Sequence, residues 1–119
     1  MKKILFIEDE KLIRDIYQTK FREMKDVEVF AVITSDEAEK ILLREKIDLI
    51  ILDIILPKQD GLSYLKGLRQ NGVNIAVIIL SNLEGENYRK IAQELGVKEY
   101  ILKTDYIPSE IIEIVKKYL

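Results

Sequence analysis

Two apolar runs in this chain end in acids. Ile4-Leu5-Phe6-Ile7 leads into Glu8-Asp9-Glu10, and Leu49-Ile50-Ile51-Leu52 leads into Asp53. A carboxylate at the end of a buried strand is costly unless it is paired, solvated at a rim or bound to a metal. Two further apolar runs end in groups of complementary chemistry: Ile75 to Leu80 in Ser81-Asn82, and Glu99 to Leu102 in Lys103-Thr104. Clustered carboxylates in a chain without histidine or cysteine suit a hard, oxygen-loving cation, Mg2+ above all. A hydroxyl and an ammonium opposite such a cation suit the oxygens of a phosphoryl group.

These groups do chemistry together only if the elements before them bring them to one rim. The pattern along the chain predicts that. Strands are expected at Lys3 to Ile7, Val27 to Val32, Ile47 to Asp53, Ile75 to Leu80 and Glu99 to Leu102. Between them, apolar residues recur at helical spacing. Leu12, Ile13, Ile16, Tyr17, Phe21 and Met24 predict a helix from Glu10 to Met24. Thr34 with Glu37 forms a capping box ahead of Ala38, Ile41 and Leu42. Pro57 and Gly61 bracket a loop, read as turn chemistry. Leu62, Leu65 and Leu68 follow on a helix stopped by Asn71-Gly72. Tyr88, Ile91, Ala92 and Leu95 mark a helix stopped at Gly96, and Pro108 suits the first turn of the last one. Regular alternation with uniformly apolar central strands implies an α/β fold: a five-stranded parallel sheet covered by helices on both faces. Ligands bind such sheets outside the carboxyl ends of the strands, where strand order reverses.

Composition narrows the function. At 119 residues the chain is one domain, 1–119, with 48% hydrophobic residues for a core and 34% charged residues for a surface. A net charge of −2 and a pI near 5.3 argue against direct nucleic-acid or anionic-membrane binding. No apolar run approaches the roughly 18 residues of a membrane span. Met1-Lys2-Lys3 looks like the start of a signal peptide, but the apolar stretch after it is far shorter than the ~7–15 residues such a peptide needs. A cytoplasmic location is the expectation.

Glu8-Asp9 after strand one, Asp53 followed by Leu56-Pro57 and Asp60-Gly61, Leu80-Ser81 after strand four, and Tyr100-Ile101-Leu102-Lys103 on strand five occur in order and on the right elements. In this the whole chain, Lys2 to Leu119, resembles the receiver domains of two-component response regulators. The resemblance implies a CheY-like, flavodoxin-like, doubly wound (βα)5 fold. It implies that Asp53 is the nucleophile that accepts a phosphoryl group from a phosphohistidine on a sensor histidine kinase or phosphotransfer protein. Asp9 would bind Mg2+ directly, Glu8 would help hold it through water, and the backbone carbonyl of Ile55 would be a further ligand beside Asp53. Lys103 would pair with Asp53 and then with a phosphoryl oxygen. Ser81 would bond another phosphoryl oxygen and be drawn inward on modification, and Tyr100 would be the aromatic switch that follows it. The protein would be no enzyme beyond catalysing its own phosphorylation and dephosphorylation. Its signalling surface would be the fourth helix, fifth strand and fifth helix, contacting a downstream protein or a fused output domain. A phosphorylation-linked homodimer through that face is a further expectation. The chain ends at Leu119, so a stand-alone receiver and a receiver cut from a longer protein both remain open.

Each residue alone has a plainer reading. Acids favour a helix start, Ser81 suits a helix cap, a lone lysine is usually on the surface, and a lone tyrosine usually packs at a sheet edge. Their joint placement on one rim separates them from those readings. The chain also departs from the family's usual pattern. Thr104 stands where proline is usual after the lysine, and a non-proline cis bond costs about 2.5–4 kcal/mol, so a trans peptide is expected. Asn82 replaces a small residue and narrows access for small donors. Ile55 and Leu83 are apolar where polar side chains orient hydrolytic water, so a long-lived acyl phosphate is expected. A flavin-binding module is disfavoured by three acids where a phosphate loop would sit. A haloacid-type phosphatase lacks its Asp-x-Asp pattern, and a nucleotide hydrolase its Gly-x-x-x-x-Gly-Lys loop. The alternative that stands is a receiver-like interaction module that works without phosphorylation.

Overall fold

The computed structural model describes all of residues 1–119, in ten alternating elements. They are β1 (Lys2–Ile7), α1 (Lys11–Arg22), β2 (Val27–Val32), α2 (Ser35–Arg44), β3 (Leu49–Leu52), α3 (Gly61–Gln70), β4 (Ala76–Ser81), α4 (Glu86–Glu94), β5 (Glu99–Leu102) and α5 (Pro108–Lys116). The strands form one parallel sheet in the order β2-β1-β3-β4-β5. The direction of winding reverses beside β1, between β1 and β3, which is the switch point of a doubly wound sheet.

Alternation along the strands divides the core in two. Leu5, Ile7, Ile50, Leu52, Val77 and Ile79 face α2, α3 and α4. Ile4, Phe6, Leu49, Ile51, Ile78 and Leu80 face α1 and α5. All four residues of β3 have no exposed surface. Burying each such side chain contributes about 1.5–3 kcal/mol, so the strand carrying Asp53 is among the most firmly held in the molecule. Phe6 packs edge-on against Tyr17 and Phe21 of α1, which are tilted against each other, with ring centroids 5.8 to 6.2 Å apart.

Several boundaries differ from the sequence-based expectation, each for a local reason. The first helix is shorter than Glu10 to Met24: Glu10 is its N-cap and Glu23 its C-cap. The third strand begins at Leu49, not Ile47, because the Asp48 carboxylate accepts from the Lys3 amide at 2.9 Å where a ladder bond would lie. The fourth strand starts one residue late and includes Ser81. Thr34 caps α2, accepting from the Glu37 amide at 3.2 Å, but the return bond from the Glu37 side chain that the expected capping box requires is not made. The cap of α3 was not foreseen: Asp60 accepts from the Ser63 amide at 3.0 Å. Gly72 and Gly96 stop their helices at φ +80° and +75°. There is no cis peptide bond, so Lys103-Thr104 is trans as anticipated.

Candidate functional site

Register places the polar groups. Ile7 is opposite Leu52, Leu52 opposite Ile79, and Ser81 opposite Leu102. Glu8, Asp53 and Lys103 therefore each follow directly on the paired part of their strands. Backbone bonds carry the pairing past those ends: Glu8 N to Val32 O at 3.0 Å, Asp53 N to Ile7 O at 3.3 Å and Lys103 N to Ser81 O at 3.0 Å. The sheet itself thus fixes the roots of the site side chains.

The structure brings together Glu8, Asp53, Ser81 and Lys103. The Lys103 ammonium donates to Asp53 Oδ2 at 2.8 Å and to Glu8 Oε1 at 2.5 Å. Ser81 Oγ donates to Asp53 Oδ1 at 2.7 Å, and the Ile55 amide donates to the same oxygen at 3.2 Å. Ligand oxygens of Glu8, Asp9 and Asp53 lie within 4.8 Å of one another. Glu8 is only 1% exposed and Asp53 6%, whereas Asp9 faces solvent. Ile55, Asn82 and Glu10 line the same cavity of about 330 Å³.

Burial pushes the Glu8 carboxyl above its usual pKa, and the Lys103 hydrogen bond offsets this only in part. For Lys103 burial pulls the pKa down, but the bonds to Asp53 and Glu8 outweigh it and the ammonium is held above its usual value. The clustered carboxylates of Glu8, Asp9 and Asp53, against the one Lys103 ammonium, leave that cluster two negative charges in excess. Oxygen donors, no nitrogen or sulfur ligand and a deficit of two charges fit a hard divalent cation such as Mg2+.

Three placements go beyond the expectation. Lys103 pairs with Glu8 as well as with Asp53. Ser81 Oγ is turned onto Asp53, the inward placement that the resemblance associates with modification of the acceptor. Tyr100 is likewise turned in: it is half-buried, and its hydroxyl donates to the Leu83 carbonyl. The Arg89 guanidinium lies 4.7 Å over the Tyr100 ring and pairs with Glu84 at 3.1 Å.

Two residues of the site were missed. Arg14 Nη1 donates to the carbonyls of Glu8 at 3.0 Å and Asp9 at 3.1 Å. Gly61 presses on the acceptor's own backbone: a Cβ there would lie 2.0 Å from the Asp53 carbonyl oxygen. Its amide donates to Ile54 O at 2.6 Å. The signal for Gly61 was the Asp60-Gly61 pair, which turn chemistry explained too easily.

The family model described as response regulator receiver domain matches residues 4–116. The chain belongs to this family. It is 35% identical over 118 residues to the alkaline phosphatase synthesis transcriptional regulatory protein PhoP of Bacillus subtilis (strain 168), a match that covers 99% of this chain and 48% of that protein. It is 33% identical over 104 residues to the transcriptional regulatory protein RstA of Escherichia coli (strain K12), covering 87% of this chain and 43% of that one. The chain thus spans less than half the length of these curated relatives. Among solved structures it is similar to a Francisella response regulator 1452 receiver domain, with TM-score 0.88, 30% identity and coverage of 99% and 96% of the two chains. It is also similar to the BeF3-activated N-terminal receiver domain of Klebsiella pneumoniae RstA, with TM-score 0.86, 29% identity and coverage of 98% and 97%. The receiver fold, with five parallel strands and five helices, is that of this chain.

Proposed function

We propose that this receiver domain is phosphorylated on Asp53 by a sensor histidine kinase or phosphotransfer protein, in a reaction that depends on Mg2+. The observation that carries the reading is the convergence of Lys103, Ser81 and the acid pair on the Asp53 carboxylate. An Asp53 carboxylate oxygen attacks the phosphorus of a phosphohistidine. The new O–P bond forms as the P–N bond breaks, and the imidazole leaves with its electron pair. Such transfers need positioning and charge neutralisation more than covalent help from the protein.

Lys103 holds Oδ2 and then serves a phosphoryl oxygen, while Ser81 serves another. Asp9, Asp53, the Ile55 carbonyl and, through water, Glu8 would hold Mg2+, which supplies positive charge to the phosphoryl oxygens. Asp53 is consumed once per transfer, so the chain is a signalling acceptor and catalyses only its own phosphorylation and hydrolysis. The added charge biases the Ser81–Leu83–Tyr100 segment and so the α4-β5-α5 face, where a downstream protein, an output domain of the same polypeptide or a second copy would dock. The histidine kinases that serve such domains act in the cytoplasm, and we place this one there.

Intact mass after exposure to a small acyl-phosphate donor and Mg2+ tests the proposal. One added phosphoryl group is expected on the wild type and none on Asp53→Asn. An unmodified wild type would leave the second reading, an interaction module independent of phosphorylation.

A further inference from the structure

The metal-binding dipeptide is held by a side chain from the next helix. Glu8 and Asp9 sit in the turn between β1 and α1, and the Asp9 side chain faces solvent. What is fixed there is the backbone. The Glu8 amide is tied to Val32 O, and the Glu10 amide donates to Glu8 Oε2 at 3.3 Å. The two carbonyls of the turn, those of Glu8 and Asp9, both accept from Arg14 Nη1. Arg14 stands in the first turns of α1, with its own amide bonded to Glu10 O at 2.9 Å, so the helix and the turn it holds are one unit.

We propose that Arg14 is a positioning residue for divalent-cation binding: its one nitrogen clamps both carbonyls and thereby aims the Glu8 and Asp9 carboxylates at a common point. This rests on the proposed Mg2+-dependent function of the same pocket. Electrostatics makes the idea sharp. The positive charge of the guanidinium opposes cation binding, so removing it should tighten binding if charge were its only influence. Loss of the clamp predicts the reverse. Groups that orient metal ligands typically contribute about 10- to 100-fold in affinity.

The test is a Mg2+ titration of the unphosphorylated chain by calorimetry, at a temperature where melts in EDTA show each protein folded. Arg14→Met keeps the apolar stem and loses both charge and fork. We expect it to bind Mg2+ at least about tenfold more weakly than the wild type. Equal or tighter binding overturns the inference, even if the variant melts lower, since a merely structural role would not change the Kd of the folded protein. Should Arg14→Met not fold, Arg14→Gln decides: its amide is two bonds too short to take the place of Nη1 on the two carbonyls, so weaker binding supports the clamp and unchanged or tighter binding refutes it. A wild type that binds no Mg2+ removes the metal reading and the clamp with it. Wild-type binding that Arg14→Met retains removes the clamp alone.

Discussion

Tyr100 and Leu83 are joined by a hydrogen bond from the tyrosine hydroxyl to the leucine carbonyl at 2.5 Å, and the amide of that same leucine donates to Ser81 Oγ at 3.3 Å. One residue of backbone therefore connects the group that touches Asp53 to the Tyr100 ring on β5. Strand alternation puts Ser81 and Tyr100 on the same side of the sheet, so the link is short.

The two side chains should be energetically coupled. Tyr100→Phe and Ser81→Ala are each expected to lower stability by about 0.5–1.5 kcal/mol. The double variant should depart from their sum by at least ~0.5 kcal/mol, as residues in one network do. Urea melts of the four proteins measure this, and strict additivity would dissolve the link.

The acid cluster is a stability cost that a bound cation would relieve. Asp9 faces solvent and has no ion pair with Lys103, so Asp9→Asn removes repulsion without orphaning a partner. In EDTA the variant should be more stable by up to about 1 kcal/mol. The wild type should gain about 2.7 kcal/mol when Mg2+ reaches 100 times its Kd, and Asp9→Asn should gain much less. Thermal melts with and without Mg2+ would show a wild type indifferent to the ion if the pocket holds none.

Gly61 leaves no room for a side chain. Gly61→Ala places a methyl 2.0 Å from the Asp53 carbonyl oxygen, a backbone atom that cannot swing aside. The chain should lose about 1–3 kcal/mol from overpacking. It should also be phosphorylated more slowly, because the acceptor's backbone shifts. An alanine variant with wild-type stability would mean that the β3–α3 turn yields more easily than its packing implies.

The strand ends and their chemistry were legible because a buried β-strand seldom closes on a carboxylate unless something nearby holds its charge. The five strands follow from apolar runs, and the helix starts at Thr34 and Pro108 from their neighbours. What stayed hidden depends on contacts between strands. The bond from Lys103 to Glu8 joins residues 95 apart, and it spans the ends of β1 and β5 across β3 and β4, an order that periodicity along one strand does not encode. Arg14 was hidden because its partners are backbone carbonyls, which carry no residue type. Gly61 was hidden because a close approach and a turn call for the same amino acid.

Alkali should unfold the protein through its buried phenols. Burial pushes Tyr17 up to about 12. The Tyr64 hydroxyl is buried without a hydrogen-bond partner and is raised further, first by burial and then by the nearby Glu39 carboxylate. Unfolded tyrosine titrates near ~10. A group raised in the folded state contributes stability that is whole below the unfolded pKa and is lost as pH rises through the folded one. Stability should therefore fall from about pH 10 toward 12, more steeply in the wild type than in Tyr17→Phe. Melts across that window measure the slopes, and parallel slopes would mean that Tyr17 ionises freely.

Hydrolysis of the proposed acyl phosphate should be slow. Ile55 is 56% exposed and lines the Asp53 cavity, while Leu83, whose amide donates to Ser81 Oγ, lines an adjoining apolar cavity together with Ile55. Neither offers a donor or acceptor to orient an attacking water, and orientation is a large part of what speeds such a step. Replacing both with polar residues of similar size, Ile55→Asn and Leu83→Gln, should shorten the phosphoryl lifetime several-fold while leaving the Asp53–Lys103 pair in place. Following the mass of the phosphorylated chain over time in Mg2+ measures it. Decay of the wild type within seconds, or no acceleration in the double variant, would show that water is oriented by something other than these two positions.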